Sequence, residues 1–361
     1  MRRWSLLIAL PLMVAFGFGV YFGLASFKSK AAQRAVSKPV TKTRTLVPLP
    51  GVVFMAQGGA LYRLENGQFS EIKPGPGDWT QPTSVPQGGL IAVSRQLHFS
   101  DLYLLDGSGH PVRQLTKNRT NTVETNHWAF YPNLSPDGKT LFYSFDPKDL
   151  SNTFRVDLAV WSMPLQGTQT QGKRRTTPSP YTGGDVQPLP LSSGAVIYTK
   201  YGIDDAGHSQ SQIWLQAHAG AIGQALTEPA DDCSAPALSR DGTRLAMVCT
   251  NGRQTSSLQV APFDGQRLGP REVLVEGQLA AMPAWAPDGL SLLYTAPGGS
   301  NGRFQLWLVQ ASRSTASPSP QATVSPSGNP TPMAARQPRL VTNDLDLDAT
   351  SAPLWMAPAG S

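Results

Sequence analysis

Side chains that could bind a ligand or move a proton recur along this chain, each time shortly before a proline. Carboxylates and imidazoles gathered at a concave site are typical of ligand binding, and paired carboxylates can act as general acid and base. Asp side chains also stabilise turns, which is their more frequent use. Both interpretations, ligand binding and turn stabilisation, apply to Asp78, His127, Asp185, Asp231, Asp232 and Asp348.

A second acidic pattern is the segment DLDLD, residues 344–348. In an extended chain alternate side chains point to the same side, so Asp344, Asp346 and Asp348 would lie together, and Ca²⁺ prefers such oxygen ligands. The segment lacks the glycine and the bidentate Glu of an EF-hand loop, which favours a solvated acidic loop instead. The two cysteines and five histidines do not have the spacing of zinc ligands. Ca²⁺ is therefore the one cofactor that the sequence suggests.

Cys233 and Cys249 flank the turn sequence SRDGT, residues 239–243. Facing residues of an antiparallel hairpin lie equally far from the centre of its turn, and Asp241 is midway between the two cysteines. We therefore predict that the two thiols face each other at a spacing that a disulfide tolerates. A disulfide would indicate an oxidising compartment, whereas two buried free thiols are the alternative.

Most of the chain consists of a repeated unit of four short segments. A proline-led segment with a turn opens the unit, and an apolar run such as LFYSF (141–145) follows. The third segment usually centres on an aromatic residue, and the fourth is polar, as in RQLT (113–116). The leading prolines are Pro82, Pro132, Pro188, Pro236, Pro283 and Pro353. The central aromatic residues are Tyr62, Tyr103, Trp161, Trp214 and Trp307.

Four short strands per unit, repeated radially, predict an all-β fold, the β-propeller, in which neighbouring blades cover each other. The segments PNLSPDGKTLFYS (132–144), PAWAPDGLSLLYT (283–295) and VRQLT (112–116) resemble the TolB-type, WD-repeat-like propeller family. The resemblance extends over residues 48–361 and implies the fold, while function has to be argued from a site. In a propeller, the loops before the leading prolines would meet at one mouth of the central channel. The regular position of the aromatic residues favours packing between blades over carbohydrate stacking.

The two ends of the repeat region predict how the ring closes. The first unit begins at its second strand, VVFMA (52–56), and the last segment, APLWMAPAG (352–360), has only an inner strand. Pairing of these segments completes a sixth blade, so residues 51–361 should form a six-bladed propeller of four-stranded blades. Residues 312–337 are rich in Ser, Thr and Pro and are predicted to be a disordered insertion.

Residues 1–27 are predicted to be one transmembrane helix or an uncleaved signal segment. Residues 4–27 carry no charge and are long enough as a helix to cross a ~30 Å hydrocarbon core. A cleaved signal peptide is the alternative. Basic residues follow in the predicted linker, 28–50. Because basic segments beside a membrane span tend to stay in the cytoplasm, charge alone would place the body there. Because a disulfide requires an oxidising compartment, we instead expect a single-pass protein with the propeller in the periplasm or outside the cell.

The charge of the body argues against nucleic-acid binding. Residues 1–44 hold eight of the 30 basic residues and no acidic one, which leaves 22 basic and 24 acidic residues elsewhere. Such a near-neutral body lacks the basic surface that phosphate backbones require. We expect a monomeric, non-catalytic propeller that binds a protein or small ligand at the channel mouth. A propeller hydrolase or lyase that uses mouth carboxylates, and a purely structural cell-envelope module, are the alternatives.

Overall fold

The computed structural model describes residues 45–86, 88–148, 155–311 and 337–358. Its strands form six antiparallel sheets of four strands each, which confirms the predicted six-bladed propeller. No helix within these described residues is long and apolar enough to cross a membrane. The predicted membrane segment, residues 4–27, and nearly all of the predicted insertion, 312–337, lie outside the described residues.

Blade 1 is the blade that contains both ends of the described chain, and the other blades are numbered in chain order. Blade 1 consists, from the inside outwards, of β24 (Leu354–Met356), β1 (Val52–Gln57), β2 (Ala60–Glu65) and β3 (Gln68–Ile72). Blade 2 consists of β4 (Asp78–Ser84), β5 (Leu90–Arg95), β6 (Ser100–Leu105) and β7 (Pro111–Gln114). Blade 3 consists of β8 (Ala129–Leu134), β9 (Thr140–Phe145), β10 (Ala159–Pro164) and β11 (Lys173–Arg174).

The remaining three blades have the same order of strands. Blade 4 consists of β12 (Asp185–Pro190), β13 (Val196–Ile203), β14 (Ser209–Gln216) and β15 (Gln224–Ala225). Blade 5 consists of β16 (Cys233–Leu238), β17 (Arg244–Cys249), β18 (Ser256–Pro262) and β19 (Glu272–Gln278). Blade 6 consists of β20 (Ala281–Trp285), β21 (Ser291–Gly298), β22 (Arg303–Gln310) and β23 (Arg339–Leu340).

The ring closes in blade 1, where the last strand pairs with the first. Trp355 faces Val53 and Leu354 faces Phe54 in the antiparallel register of β24 and β1. The Trp355 indole Nε1 also donates to the Pro50 carbonyl oxygen at 2.8 Å. The predicted pairing of the two ends is therefore confirmed.

The turn between the first and second strands explains the repeated Asp-Gly sequence. In blade 3, Asp137 Oδ1 accepts hydrogen bonds from the Ser135 hydroxyl and the Lys139 N–H group. Gly138 has a φ of 69°, in the left-handed region that glycine adopts without steric cost. These hydrogen bonds hold the pKa of Asp137 below its ordinary value. The acidic side chain of this turn therefore stabilises a hairpin.

The fourth segment of the repeat contributes a buried threonine. The hydroxyl oxygen of this threonine accepts a hydrogen bond from a backbone N–H group of the third strand in four of the six blades. The four bonds join Leu102 N to Thr116, Val160 N to Thr176, Ile213 N to Thr227, and Leu306 N to Thr342. Each one satisfies a buried donor on a third strand whose fourth strand is short.

The hydrophobic core lies between neighbouring blades. Leu258 of blade 5 and Leu292 of blade 6 belong to one cluster, and Ile213 of blade 4 and Met247 of blade 5 belong to another. The central aromatic residues of the third strands are buried or pack against such clusters: Tyr62, Tyr103, Trp161, Trp214 and Trp307. Their predicted place in the core is thus confirmed, and second strands such as β1 are buried on both faces.

Candidate ligand-binding channel

A cavity of about 610 Å³ lies where the inner strands of all six blades meet, so it is the central channel of the propeller. Its volume is within the range of ordinary ligand sites. All six prolines that lead the repeat units line it, namely Pro82, Pro132, Pro188, Pro236, Pro283 and Pro353. The repeat in the sequence therefore produces a ring of pyrrolidine rings around the channel.

Each of these prolines in blades 2 to 6 sits in a β-bulge. In blade 2 the register between β4 and β5 shifts between Thr80 and Thr83, which leaves Gln81 and Pro82 without facing partners. The residue before the proline is left-handed in these blades, with φ between 46° and 56°: Gln81, Tyr131, Gln187, Ala235 and Met282. Left-handed backbone is costly for residues other than glycine and is often found at functional sites. The bulges turn the X-Pro dipeptides towards the channel.

Side chains at the mouth, the channel end where each inner strand begins, join neighbouring blades. Gln81 Oε1 accepts a hydrogen bond from the Tyr131 N–H group at 2.7 Å, and Gln187 Oε1 accepts one from the Ala235 N–H group at 3.0 Å. Ser351 Oγ accepts from the Gln81 N–H group at 2.9 Å. These bonds satisfy N–H groups at the bulges and hold adjacent inner strands together. Both glutamines stand directly before a leading proline in the sequence, but neither was among the predicted site residues.

The opposite end of the cavity is aromatic and apolar. Trp285 and Trp355 line the cavity there with Leu354, and the Trp285 indole Nε1 donates to the Ala237 carbonyl oxygen at 2.9 Å. Arg240 is the only charged residue among the described residues that line the cavity. The lining is therefore suited to binding apolar groups.

None of the six residues singled out from the sequence lines the cavity. Asp78 forms an ion pair with Arg95 at 3.4 Å, on the facing strand of blade 2. Asp185 is fully buried and pairs in the same way with Lys200 at 3.0 Å in blade 4. Both carboxylates thus join the first two strands of a blade at the mouth.

The other three acidic residues of this set also bind protein groups. Asp231 pairs with Arg271 at 2.8 Å, and Asp232 accepts hydrogen bonds from the Ser211 hydroxyl and N–H groups of the preceding blade. Asp348 Oδ2 accepts a hydrogen bond from the Thr80 hydroxyl at 2.7 Å and so joins blades 1 and 2. The structure places these side chains around the mouth as contacts within and between blades.

His127 is the remaining member of the set, and it packs rather than facing the cavity. Its ring stacks on Phe145 with ring centroids 5.1 Å apart, and Nδ1 lies 2.8 Å from the Asp146 carbonyl oxygen. These contacts fix the imidazole at the start of blade 3. All six residues of the set thus contact other residues of the turns and strands around them.

The acidic segment 344–348 does not form a cluster of ligands. Asp346 is exposed and forms an ion pair with Arg303, while Asp348 binds Thr80 and the Thr350 hydroxyl. Across the described part of the chain, no three His, Cys, Asp or Glu side chains are grouped as a metal ion would require. Asp344, Asp346 and Asp348 are therefore not grouped in the described structure, because two of these carboxylates bind different elements.

The predicted pairing of the two cysteines is present in blade 5. Cys233 faces Cys249 in the register of β16 and β17, and a disulfide bond joins them. Both residues are buried in the cluster between blades 4 and 5.

The electrostatics of the mouth keep its hydroxyl groups neutral. Burial raises the pKa of the Tyr131 phenol far above its ordinary value, and the nearby Tyr201 and Asp348 raise it further. Burial likewise raises the pKa of Tyr201, with a further contribution from Asp232. Burial also raises the pKa of Asp185, although Lys200 acts in the opposite direction. Tyr131, which lines the cavity, can therefore serve as a hydrogen-bonding group rather than as an anion.

These features define a six-bladed β-propeller with a proline-lined channel. No protein-family model and no curated protein matches the chain. Among solved structures it is similar to TolB from Acinetobacter baumannii, with 17% identity and a TM-score of 0.59. The alignment covers 84% of this chain and 65% of that one, so the chain spans about two-thirds of the Acinetobacter protein.

Two further structures have the same architecture. The putative TolB from Agrobacterium tumefaciens is 15% identical, with a TM-score of 0.50 over 75% of this chain and 86% of that one. The hydrazine synthase of Kuenenia stuttgartiensis is 12% identical, with a TM-score of 0.51 over 73% of this chain and 44% of that one. At these identities the similarity establishes the fold alone, a TolB-type propeller, and the function has to be argued from the channel.

Proposed function

We propose that this protein is a monomeric, membrane-tethered binding module whose propeller lies outside the cytoplasm and takes up an apolar ligand in its central channel. The observation that carries the proposal is the cavity of about 610 Å³, lined by six prolines and by the indoles of Trp285 and Trp355. Concave, mostly apolar pockets with a few polar groups are the usual form of a ligand site. The ligand is either an inserted segment of a partner protein or a small molecule.

The inner strands also restrict how such a ligand can bind. A proline has no backbone N–H group and so interrupts ladder pairing on the edge that it occupies. Because every inner strand carries a proline at the channel, a ligand is recognised by packing on rings and side chains rather than by adding a strand. Proline and aromatic side chains have few rotatable bonds. A surface made of them therefore loses little conformational entropy when it binds an extended apolar segment.

The two alternative functions have less support. Catalysis by mouth carboxylates would need two carboxyl groups within reach of one substrate, yet none of the described lining residues is acidic. Asp185, the most buried carboxylate of the set, already pairs with Lys200. A purely structural role would suit a flat mouth, whereas this one opens into a cavity.

The cellular location rests on the sequence and on blade 5. The uncharged segment 4–27 is long enough for a membrane anchor. The disulfide between Cys233 and Cys249 supports an oxidising compartment, where such bonds form and persist.

Capture of partners from detergent-solubilised membranes tests the channel as the binding site. Ala352 lines the cavity and is exposed at its mouth, so Ala352→Trp should obstruct the channel at little cost to folding. Ala206→Trp adds the same side chain to an exposed turn away from the lining and is the matched control. Loss of a captured protein with A352W but not A206W would support a protein ligand.

A small-molecule ligand would be detected differently. Trp285 and Trp355 line the cavity, so an extracted ligand should change their fluorescence in wild type and A206W but not in A352W. Equal behaviour of all three proteins in both experiments would refute the channel as the binding site.

A further inference from the structure

Three blades have a bonded cross-strand pair near the mouth end of their first two strands. The pairs are Asp78–Arg95 in blade 2, Asp185–Lys200 in blade 4 and Cys233–Cys249 in blade 5. The first two are ion pairs and the third is the disulfide. Each pair precedes the bulge that forms the channel wall, so it holds the start of an inner strand. Asp185 and Cys233 each stand three residues before the leading proline, so the disulfide of blade 5 occupies the position of the ion pair in blade 4. Asp78 of blade 2 lies one residue further from its proline.

A cation lies against this disulfide. Arg271 comes directly before β19, and its Nη1 atom is 3.8 Å from the Cys233 Sγ atom. Its Nη2 atom forms an ion pair with Asp231 Oδ2 at 2.8 Å, which fixes the guanidinium in place. Cys233 has no exposed surface, while the Arg271 side chain is partly exposed, so the sulfur meets the guanidinium at the edge of the buried core. Coulomb interactions are stronger there than in bulk solvent.

We propose that Arg271 poises the Cys233–Cys249 disulfide for reversible reduction by stabilising the Cys233 thiolate, which makes blade 5 a redox-sensitive clamp on the channel wall. A disulfide beside a cation is a stronger oxidant than one without it, because the cation stabilises the reduced form. Asp231 and Asp232 precede Cys233 directly and oppose negative charge on its sulfur. Arg271 offsets this effect through its contact with Cys233 and its ion pair with Asp231.

The exchange needs one dithiol reductant. Because both sulfurs are buried, the exchange takes place when the start of β16 opens locally. A thiolate of the reductant then attacks the Cys249 sulfur, the bond between Cys233 and Cys249 breaks, and its electron pair passes to the Cys233 sulfur beside Arg271. The second thiol of the reductant, after losing its proton, then displaces Cys249. The two cysteines are reduced by two electrons in total, and the reductant is oxidised to its own disulfide.

Only two positions of the chain separate the disulfide from the channel wall, so reduction of the disulfide would affect that wall. Ala235 follows Cys233 by two positions, lines the cavity, and has its N–H group bound by Gln187 Oε1 of blade 4. When the disulfide opens, the start of β16 loses its covalent attachment to β17 and is held by backbone pairing and by this hydrogen bond. Amide hydrogen exchange at residues 233–238 should therefore become faster in the reduced protein.

Equilibration of the folded protein with dithiothreitol tests the role of Arg271. The variants are Arg271→Gln, Arg271→Lys and Asp231→Asn, and the reduced fraction is read by thiol alkylation after acid quenching and denaturation. If Arg271 lowers the thiol pKa by one unit, R271Q should be roughly three- to tenfold harder to reduce than wild type between pH 8 and 9. The difference should vanish near pH 5, where thiols are protonated. R271K should resemble wild type, and D231N should be reduced at least as readily.

A second measurement does not depend on the disulfide equilibrium. In the Cys249→Ser background, the absorbance of the Cys233 thiolate near 240 nm should titrate at higher pH when Arg271 is replaced by Gln. Circular dichroism of each variant checks the fold. The proposal is overturned if R271Q and wild type have the same reduction equilibrium at pH 8 to 9 and the same titration of Cys233. A difference that persists unchanged at pH 5 would assign Arg271 a packing role only, which also overturns it.

Discussion

Several acidic residues in the described part of the chain bind backbone N–H groups, and Asp157 is one of them. Asp157 accepts hydrogen bonds from the N–H groups of Tyr181, Thr182 and Gly183, three consecutive residues of one loop. Partial burial raises the pKa of Asp157, but these bonds and the Arg155 side chain lower it on balance. Asp157 therefore holds this loop in place.

Asp101 illustrates the energetic cost of a carboxylate that accepts hydrogen bonds inside the core. It is nearly fully buried and accepts hydrogen bonds from the Thr116 hydroxyl and the Asn118 N–H group. Burial raises the pKa of Asp101, and the hydrogen bonds offset only part of this effect. In blade 6 the neutral Gln305 accepts the equivalent bond from Thr342. An amide side chain can therefore accept the same hydrogen bond without placing a charge in the core.

We expect Asp101→Asn to gain stability relative to wild type at pH 7 and to lose that advantage at acid pH. The folded-state pKa of Asp101 is raised, so its ionisation penalises the folded wild type above that pKa, and the penalty disappears as pH falls below the unfolded value. Urea unfolding of both proteins at pH 4 and pH 7 measures the difference. Asp101→Ala should lose about 1–3 kcal/mol, because it leaves buried donors without an acceptor. A D101N advantage that is independent of pH would contradict this explanation.

At the scale of strands, the X-Pro bulges determine which residues face each other. Near the turn of blade 5, Leu238 faces Leu245 and Ala237 faces Ala246. Continued without a bulge, this register would place Cys233 opposite Thr250. The extra residue of the bulge shifts the register by one, so that Cys233 faces Cys249. The sequence-based prediction of this pair was confirmed because it centred the hairpin on Asp241, although it did not include the bulge.

Local sequence patterns predict the strands and turns of this fold, but not the contacts between its neighbouring bulges. Repeated strands and turns follow from local patterns, so the order of elements and the number of blades could be predicted. The partners of Gln81 and Gln187 depend on how neighbouring bulges approach, and no local pattern contains that distance. The Gln-Pro dipeptides were visible in the sequence, but the search favoured titratable groups. The repeat thus predicted the channel and the prolines that line it, whereas the titratable residues named for its mouth do not line the cavity.

The threonine bonds between third and fourth strands give a prediction for one element. Thr227 accepts a hydrogen bond from the Ile213 N–H group at 3.0 Å, and both residues are buried. Thr227→Val preserves the shape but leaves that donor unsatisfied, which should lower the free energy of unfolding by about 1–3 kcal/mol. Thr227→Ser keeps the hydroxyl and should lose clearly less. Chemical denaturation of the three proteins decides, and equal losses for Val and Ser would mean that the methyl group matters instead.

At the scale of the whole molecule, the ring depends on one short strand. β24 has three residues, Leu354–Met356, yet it supplies the inner strand of blade 1, and all three residues line the channel. Its neighbours are the first strand of the chain and the inner strands of the adjacent blades, β4 and β20. Closure therefore joins residues about 300 positions apart, as the bond from Trp355 to Pro50 shows.

Removal of residues 350–361 should destabilise the propeller far more than its length suggests. The deletion exposes the inner edge of β1 and removes the buried Trp355, and loss of a buried Trp side chain alone costs about 3–5 kcal/mol. Removal of residues 359–361 only, which follow β24, is the control and should leave the unfolding midpoint nearly unchanged. A synthetic peptide of residues 350–361 should restore the midpoint of the truncated protein in a concentration-dependent way, because a ligand of the folded state stabilises it by mass action. If the truncated protein unfolds at the same urea concentration as the full chain, closure through β24 does not hold the ring together.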